Sequence, residues 1–294
     1  MTRLRSILFS LLALAALAAL THAPRRAAAA TPAPAARERV VCVSKQLNEF
    51  LYALGAQDVL VARDLTSVYP PEIQKLPSVG YHRALSAEGI LSARPTLFLT
   101  DGNVGPDAVI SQVKEAGVPV VIMRAGAGPD SAQLLLAALG RRFGCEPKAD
   151  SLVAAWRAGM ARVRADSAQV TGKRPRVLFM HFGQIVNNYL GIRSGTPADQ
   201  ILRWAGGVNA IDSVGTMSRL NPELIARCAP DIIIATDVGF DRVGSAEKFA
   251  HLPGVELTPA GKNGRIYRID EIDIMYYGPR TPAAVRKLAA LLRR

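Results

Sequence analysis

Three side chains fall together in the segment Gly80-Tyr81-His82-Arg83, and their types suit the capture of a hard metal ion. A tyrosine phenolate is a hard anionic donor matched to ferric iron, but a free phenol titrates near ~10, so a neighbouring cation must favour the charged form. Arg83, two positions beyond Tyr81, is the available cation. His82 between them is open to three roles: metal ligand, hydrogen-bond partner, or exposed side chain. A second imidazole, His181, closes the apolar run VLFMHFG (177–183), where a strand end would aim it into a cleft. The residue types alone leave a plainer account open, in which Tyr81 packs at an edge with its hydroxyl in water and His181 is satisfied by backbone groups.

Two copies of one unit position these groups. Residues 79–99, VGYHRALSAEGILSARPTLFL, align without gaps on residues 214–234, VGTMSRLNPELIARCAPDIII, at a constant offset of 135. Ser86 and Asn221 read as helix N-caps, Glu88 and Glu223 fall two positions into the helices, and Pro95 or Pro230 stops each before an apolar strand. Strands are expected near 40–43, 60–62, 97–100 and 120–123 in the first half. In the second they are expected near 176–181, 232–235 and 266–268, with a final helix over 282–292. Alternating strands and helices predict an α/β fold of two Rossmann-like lobes with open parallel sheets. Residues 147–169 carry Leu152, Trp156, Met160 and Val163 on one face, which predicts one long, rigid amphipathic helix joining a lobe of 39–146 to a lobe of 170–294. The ligand cleft of such a pair faces the carboxyl ends of the strands.

Arg3 and Arg5 ahead of the apolar run from Ile7 to Leu20 read as a signal peptide over 1–30, cleaved near Ala28 to Ala30, with a flexible mature N-terminus over 31–38. The run is shorter than the ~20 residues of a spanning helix. No cysteine at its boundary offers a lipid anchor, so the expected location is the periplasm. Losing Arg3, Arg5, Arg25 and Arg26, and no acidic residue, takes the formal charge from +12 to +8. That basic balance suits an anionic small ligand; the spread of Lys and Arg without an aromatic stripe speaks against nucleic acid. Cys42, Cys145 and Cys228 read as free thiols rather than a disulfide framework.

The segments GYHRALSAEGIL (80–91), WAGGVNAI (204–211), NPELIARCAPDIII (221–234) and YGPRTPAAVRKLA (277–289) resemble the substrate-binding proteins of ABC importers for haem, siderophores and cobalamin, and within them the haem branch. The resemblance implies a monomeric, non-enzymatic protein that captures haem. It would deliver the haem to an inner-membrane permease with its ATPase and touch the membrane only through that permease. It also implies Tyr81 as axial iron ligand with Arg83 beside it, and His181 as a possible sixth ligand. Two departures touch the pocket: His82 stands where the family has methionine, and Met275, Tyr276 and Tyr277 precede Gly278-Pro279-Arg280 where it has Leu-Gly-Phe.

Haem has two propionates and an apolar macrocycle, so guanidinium groups and apolar walls are needed. Arg280 and Arg193 are the expected propionate partners; Tyr276, Tyr277, Phe182 and Met275 are the expected walls. Glu88 and Glu223 sit at equivalent points of the two lobes, and the resemblance makes them permease-docking residues; either also favours its helix N-terminus by ~0.3–1 kcal/mol. A cobalamin or ferric-siderophore binder is the nearest alternative. A periplasmic metal-dependent hydrolase using His181 with Asp237, Asp270 and Asp273 is a remote one, since no His-Glu-x-x-His, Gly-x-Ser-x-Gly or phosphate-binding glycine loop is present.

Overall fold

Val40–Val43 and Leu97–Thr100 are apolar or β-branched at nearly every position and wholly buried, as strands in the middle of a parallel sheet must be. They form β1 and β3 of a four-stranded parallel sheet completed by β2 (Leu60–Arg63) and β4 (Val120–Ile122), in the order β2-β1-β3-β4. The computed structural model describes residues 38–126, 128–182 and 189–294. The expected leader, 1–30, and all but Glu38 of the segment 31–38 lie outside the described residues. Helices α1 (Lys45–Leu54), α2 (Ala87–Ser92), α3 (Ala108–Glu115) and α4 (Ser131–Phe143) complete the first lobe.

The linking helix, α5, runs Glu146–Ala168, one residue ahead of expectation at each end, and spans about 34 Å at ~1.5 Å per residue. Its Trp156, Met160 and Val163 belong to one apolar core that also takes in Val40 and Phe50 of the first lobe and Phe179, Ile234 and Leu288 of the second. Trp156 donates its indole N–H to the Gly278 carbonyl at 3.2 Å, adding a directional contact to that packing. Gly159 lets the last helix approach, since a Cβ there would stand 2.7 Å from the Cβ of Pro282. A shared core with a one-helix crossing resists hinge motion.

The second lobe holds β5 (Arg176–Phe182), β6 (Tyr189–Ile192), β7 (Val208–Asn209), β8 (Met217–Arg219), β9 (Ile232–Thr236) and β10 (Ile266–Ile269), with order β10-β9-β5-β6-β8 and β7 on β5. Helices α6 (Pro197–Trp204), α7 (Pro222–Cys228), α8 (Asp237–Val243), α9 (Ala246–Ala250), α10 (Pro259–Lys262) and α11 (Thr281–Leu292) surround it. This sheet corrects the all-parallel expectation at one edge, because β6 pairs antiparallel with both β5 and β8. An antiparallel neighbour needs only a short connection, whereas a parallel one needs a crossover. Strands of four and three residues carry too little alternation to be read from sequence.

The repeat is reproduced in backbone detail. Ser86 accepts from the Gly89 N–H at 3.0 Å and Asn221 from the Leu224 N–H at 2.8 Å, capping α2 and α7. Gly80 and Gly215 both have positive φ, and so do Arg94 and Ala229, each pair 135 residues apart. The last two are non-glycine residues in the left-handed region just past a helix end, an uncommon conformation that two unrelated turns would rarely share.

Candidate functional site

The carboxyl ends of β1, β2, β5, β9 and β10 face one another, and the residues that follow or close these strands line a cleft of about 250 Å³. Lys45 follows β1, Leu65, Thr66 and Val68 follow β2, His181 and Phe182 close β5, Asp237 and Val238 follow β9, and Glu271 and Ile272 follow β10. Tyr81 and His82 enter from the turn after the left-handed Gly80. Leu65, Val68 and Val238 remain close to half exposed, at 49%, 45% and 46%, and give the cleft an apolar rim.

Tyr81 and His82 do not point apart as adjacent loop residues commonly do. Their rings meet edge to face with centroids 4.5 Å apart, and both line the cleft. Behind them lies a buried polar network. The fully buried Asp64 accepts from the Thr66 N–H at 2.9 Å and from the hydroxyls of Thr66 and Ser67, and Ser67 accepts from Asn48 at 2.9 Å. Since the Thr66 hydroxyl proton is committed to Asp64, only its lone pair is left for His82 Nδ1, 3.5 Å away. That contact favours the tautomer with its proton on Nδ1, the form that offers the Nε2 lone pair as a ligand.

His181, from the opposite lobe, meets a threonine in the same way, with Nδ1 3.4 Å from Thr236 Oγ1. Burial lowers the pKa of both imidazoles from its ordinary value; the neighbouring carboxylates, Asp64 for His82 and Glu271 for His181, only partly oppose this. Both rings are therefore neutral at pH 7, the state in which histidine binds a metal. Across the cleft Lys45 pairs with Glu271 at 2.5 Å. Burial alone would raise the Glu271 pKa, but the charge and hydrogen bond of Lys45 bring it below the usual range.

The cleft thus gathers Tyr81, His82, His181 and Phe182 from among the expected residues. Arg83 is exposed outside its wall, near enough for its charge to oppose protonation of His82. Arg280 is engaged elsewhere: its guanidinium forks onto Glu49 at 2.8 and 3.1 Å, also bonds Asp273, and lies 4.1 Å over the Tyr69 ring. Arg193 donates to the carbonyl and hydroxyl of Ser213 and fills the space beside Gly215, where a Cβ would meet it at 2.5 Å. Tyr277 is only 4% exposed, packs against Trp204, and has its phenol pushed up to about 12 by burial. Tyr276 donates to Glu49 at 2.7 Å, and Met275 packs on the core. Glu88 and Glu223 are exposed in the first turns of α2 and α7.

Of the hydrolase carboxylates, Asp237 lines the cleft, while Asp270 and Asp273 are bound to Lys287, with Arg268 on the first and Arg280 on the second. Lys45, Thr66 and Glu271 are cleft residues that the sequence reading omitted, whereas Asp237 entered it only as a carboxylate of the remote hydrolase alternative. Lys45, Thr66 and Glu271 each lie within four residues of an expected strand end, so the rule for ligand sites at strand carboxyl ends was the usable signal.

Phe182 is held in the cleft wall by edge contacts with Tyr189 and Phe249, centroids 4.6 and 5.8 Å away, and by the absence of a side chain at Gly239. A Cβ at Gly239 would fall 1.6 Å from the Phe182 ring. Gly239→Ala is expected to cost ~1–3 kcal/mol as an overpacked site. It should also displace Phe182 towards the cleft; urea denaturation would register the stability loss and the absorbance of a bound ligand the displacement.

A profile for periplasmic binding proteins matches residues 40–272. The periplasmic haem-binding protein RhuT from Roseiflexus sp. RS-1, in its apo form, superposes with a TM-score of 0.80 at 32% identity, over 87% of this chain and 97% of its own. An uncharacterised ABC transporter substrate-binding lipoprotein of Bacillus subtilis (strain 168), YvrC, is 24% identical over 255 residues, 86% of this chain and 79% of its own. The vitamin B12-binding protein of Pectobacterium carotovorum subsp. carotovorum (strain PC1) is 32% identical over 95 residues, 32% of this chain and 34% of its own.

Proposed function

The chain belongs to the periplasmic binding protein family, and on that premise we propose that it captures haem between its lobes in the periplasm and hands it to an ABC permease. The observation that carries this reading is the convergence of Tyr81, His82 and His181 on one cleft with an apolar rim. A phenol and two neutral imidazoles match ferric iron, and Leu65, Val68 and Val238 match the macrocycle. The likeness to a haem-binding protein over nearly the whole chain supports the same reading. At about 250 Å³ the cleft lies just below the usual ~300–1,000 Å³ of enclosed ligand sites, so the flat ligand would be gripped at its centre with an edge exposed.

The local match to a vitamin B12-binding protein keeps a corrinoid as the second reading. Titrating the purified protein with haemin and with cyanocobalamin separates the two: a saturable Soret change with no competition by the corrinoid is expected. Tighter capture of cyanocobalamin would select the alternative.

The exposed Glu88 and Glu223, 135 residues apart on equivalent helix starts, are the proposed contacts for arginines of a permease. Replacing both by lysine is expected to lower haem uptake by whole cells by at least about tenfold, equal to ~1.4 kcal/mol of docking. The haemin titration of the purified variant should be unchanged. Uptake equal to that of the original chain would speak for scavenging without a permease.

A further inference from the structure

Among the described residues one charged contact crosses the cleft, and its construction differs from the other bonds between the lobes. Arg280 in the second lobe grips the buried Glu49 of the first with two parallel bonds, and Gln46 donates across to the Tyr277 carbonyl at 3.0 Å. These struts lie away from the cleft wall. The Lys45–Glu271 pair lies on the wall itself, single and partly open to solvent, with side-chain exposures of 28% and 17%.

A lysine ammonium has three donors, and Glu271 takes one; among the described residues Lys45 has no other hydrogen-bond partner. Lys45 is also the only lysine or arginine lining the cleft among the described residues, since Arg83, Arg193 and Arg280 are placed elsewhere. Nor does the position serve the helix. Lys45 is the first residue of α1, where the helix dipole disfavours a cation by a few tenths of a kcal/mol.

We propose that Lys45 is the carboxylate subsite of the cleft, with Glu271 as the residue that positions and tempers it. Resting on the haem reading, this means that Lys45 receives a propionate with the donors Glu271 leaves free. Glu271 already occupies the ammonium as an internal carboxylate, so any carboxylate of the ligand shares or competes for that place. The subsite favours a tetrapyrrole with free acid side chains over one whose side chains are amides or esters. It is therefore a specificity device as well as an anchor.

The test compares haemin with haemin dimethyl ester, which keeps iron and macrocycle but masks both carboxylates. Each is titrated in the same dilute detergent into the full chain and into Lys45→Met and Glu271→Gln. Lys45→Met is expected to weaken haemin by about 10- to 100-fold, the range of one charge-assisted hydrogen bond, and to leave the ester within about twofold. Glu271→Gln, which removes the competing carboxylate but keeps the shape, should hold or tighten haemin.

Equal losses for both porphyrins in Lys45→Met, or none for either, would overturn the subsite while leaving haem capture standing. Loss of haemin binding in a folded Glu271→Gln would do the same. Failure of the unaltered chain to bind either porphyrin would overturn haem capture and the subsite with it. Lys45→Arg, which restores the cation, is expected to recover part of the preference for haemin, so the outcome does not hang on how well Lys45→Met folds.

Discussion

Tyr81→Ala is expected to weaken haemin binding by more than about 100-fold, because changes to groups that merely support a metal ligand already cost ~10–100-fold. In this cleft the phenol is the hard oxygen donor that meets His82 ring to ring, while Glu271 is paired with Lys45, so loss of the phenol removes the donor best matched to ferric iron. The residual complex should be ligated by His82 or His181 and show the Soret maximum of nitrogen ligation. Tyr81→Phe should behave alike in affinity while keeping the ring against His82, which separates the loss of the oxygen from the loss of the 4.5 Å ring contact. Soret titrations of both variants, with apoprotein melting curves to establish that they fold, measure this. Affinity within threefold of the original chain in both would remove Tyr81 from the ligand set and shift the chemistry to the histidines.

Arg280→Ala is expected to be the most destabilising single change to the contact between the lobes. Glu49 is 3% exposed and takes two bonds from Arg280 and one from Tyr276, while Asp273, 7% exposed, takes one from Arg280 and one from Lys287. Removing the guanidinium leaves a buried carboxylate without its counter-charge, a loss of ~3–5 kcal/mol for a broken buried pair. For a chain of this size that corresponds to a melting temperature lower by roughly 5–10 °C.

The companion substitution Glu49→Gln should restore part of the loss, since the orphaned charge is then gone as well; a double-mutant cycle reads this directly. Haemin affinity of the folded Arg280→Ala protein is expected to stay within about threefold of the original, because the guanidinium points into the strut and not the cleft. A large affinity loss without a stability loss would return Arg280 to the propionate role that its sequence setting suggested.

Much of the architecture was legible because local physics acts over a few residues. Ser86 and Asn221 cap the helices they were expected to cap, and the 135-residue offset carries through to the paired left-handed residues Arg94 and Ala229. Continuous apolar runs marked β1, β3 and β9, and the spacing of Trp156, Met160 and Val163 marked the linking helix. The short edge strands β6 and β8 escaped because their pairing, not their composition, makes them strands.

The site was legible in part for the same reason. Gly80 sets a left-handed turn ahead of a capped helix, so Tyr81 and His82 were expected in the loop at a helix start, and the apolar run up to His181 was expected to be a strand with the imidazole at its end. Which basic group would reach the cleft could not be read, since an arginine goes to whichever carboxylate the fold brings near. For Arg280 that carboxylate is Glu49, 231 residues away in the chain, and for Lys45 the partner is Glu271, 226 residues away. The sequence by itself determined two repeated lobes, a rigid join and a tyrosine–histidine turn facing a cleft, because propensity, capping and periodicity are local. Only the tertiary structure decided that Lys45 stands in the cleft while Arg280 braces the lobes, because long-range pairing of charges depends on where the folded backbone has already put them.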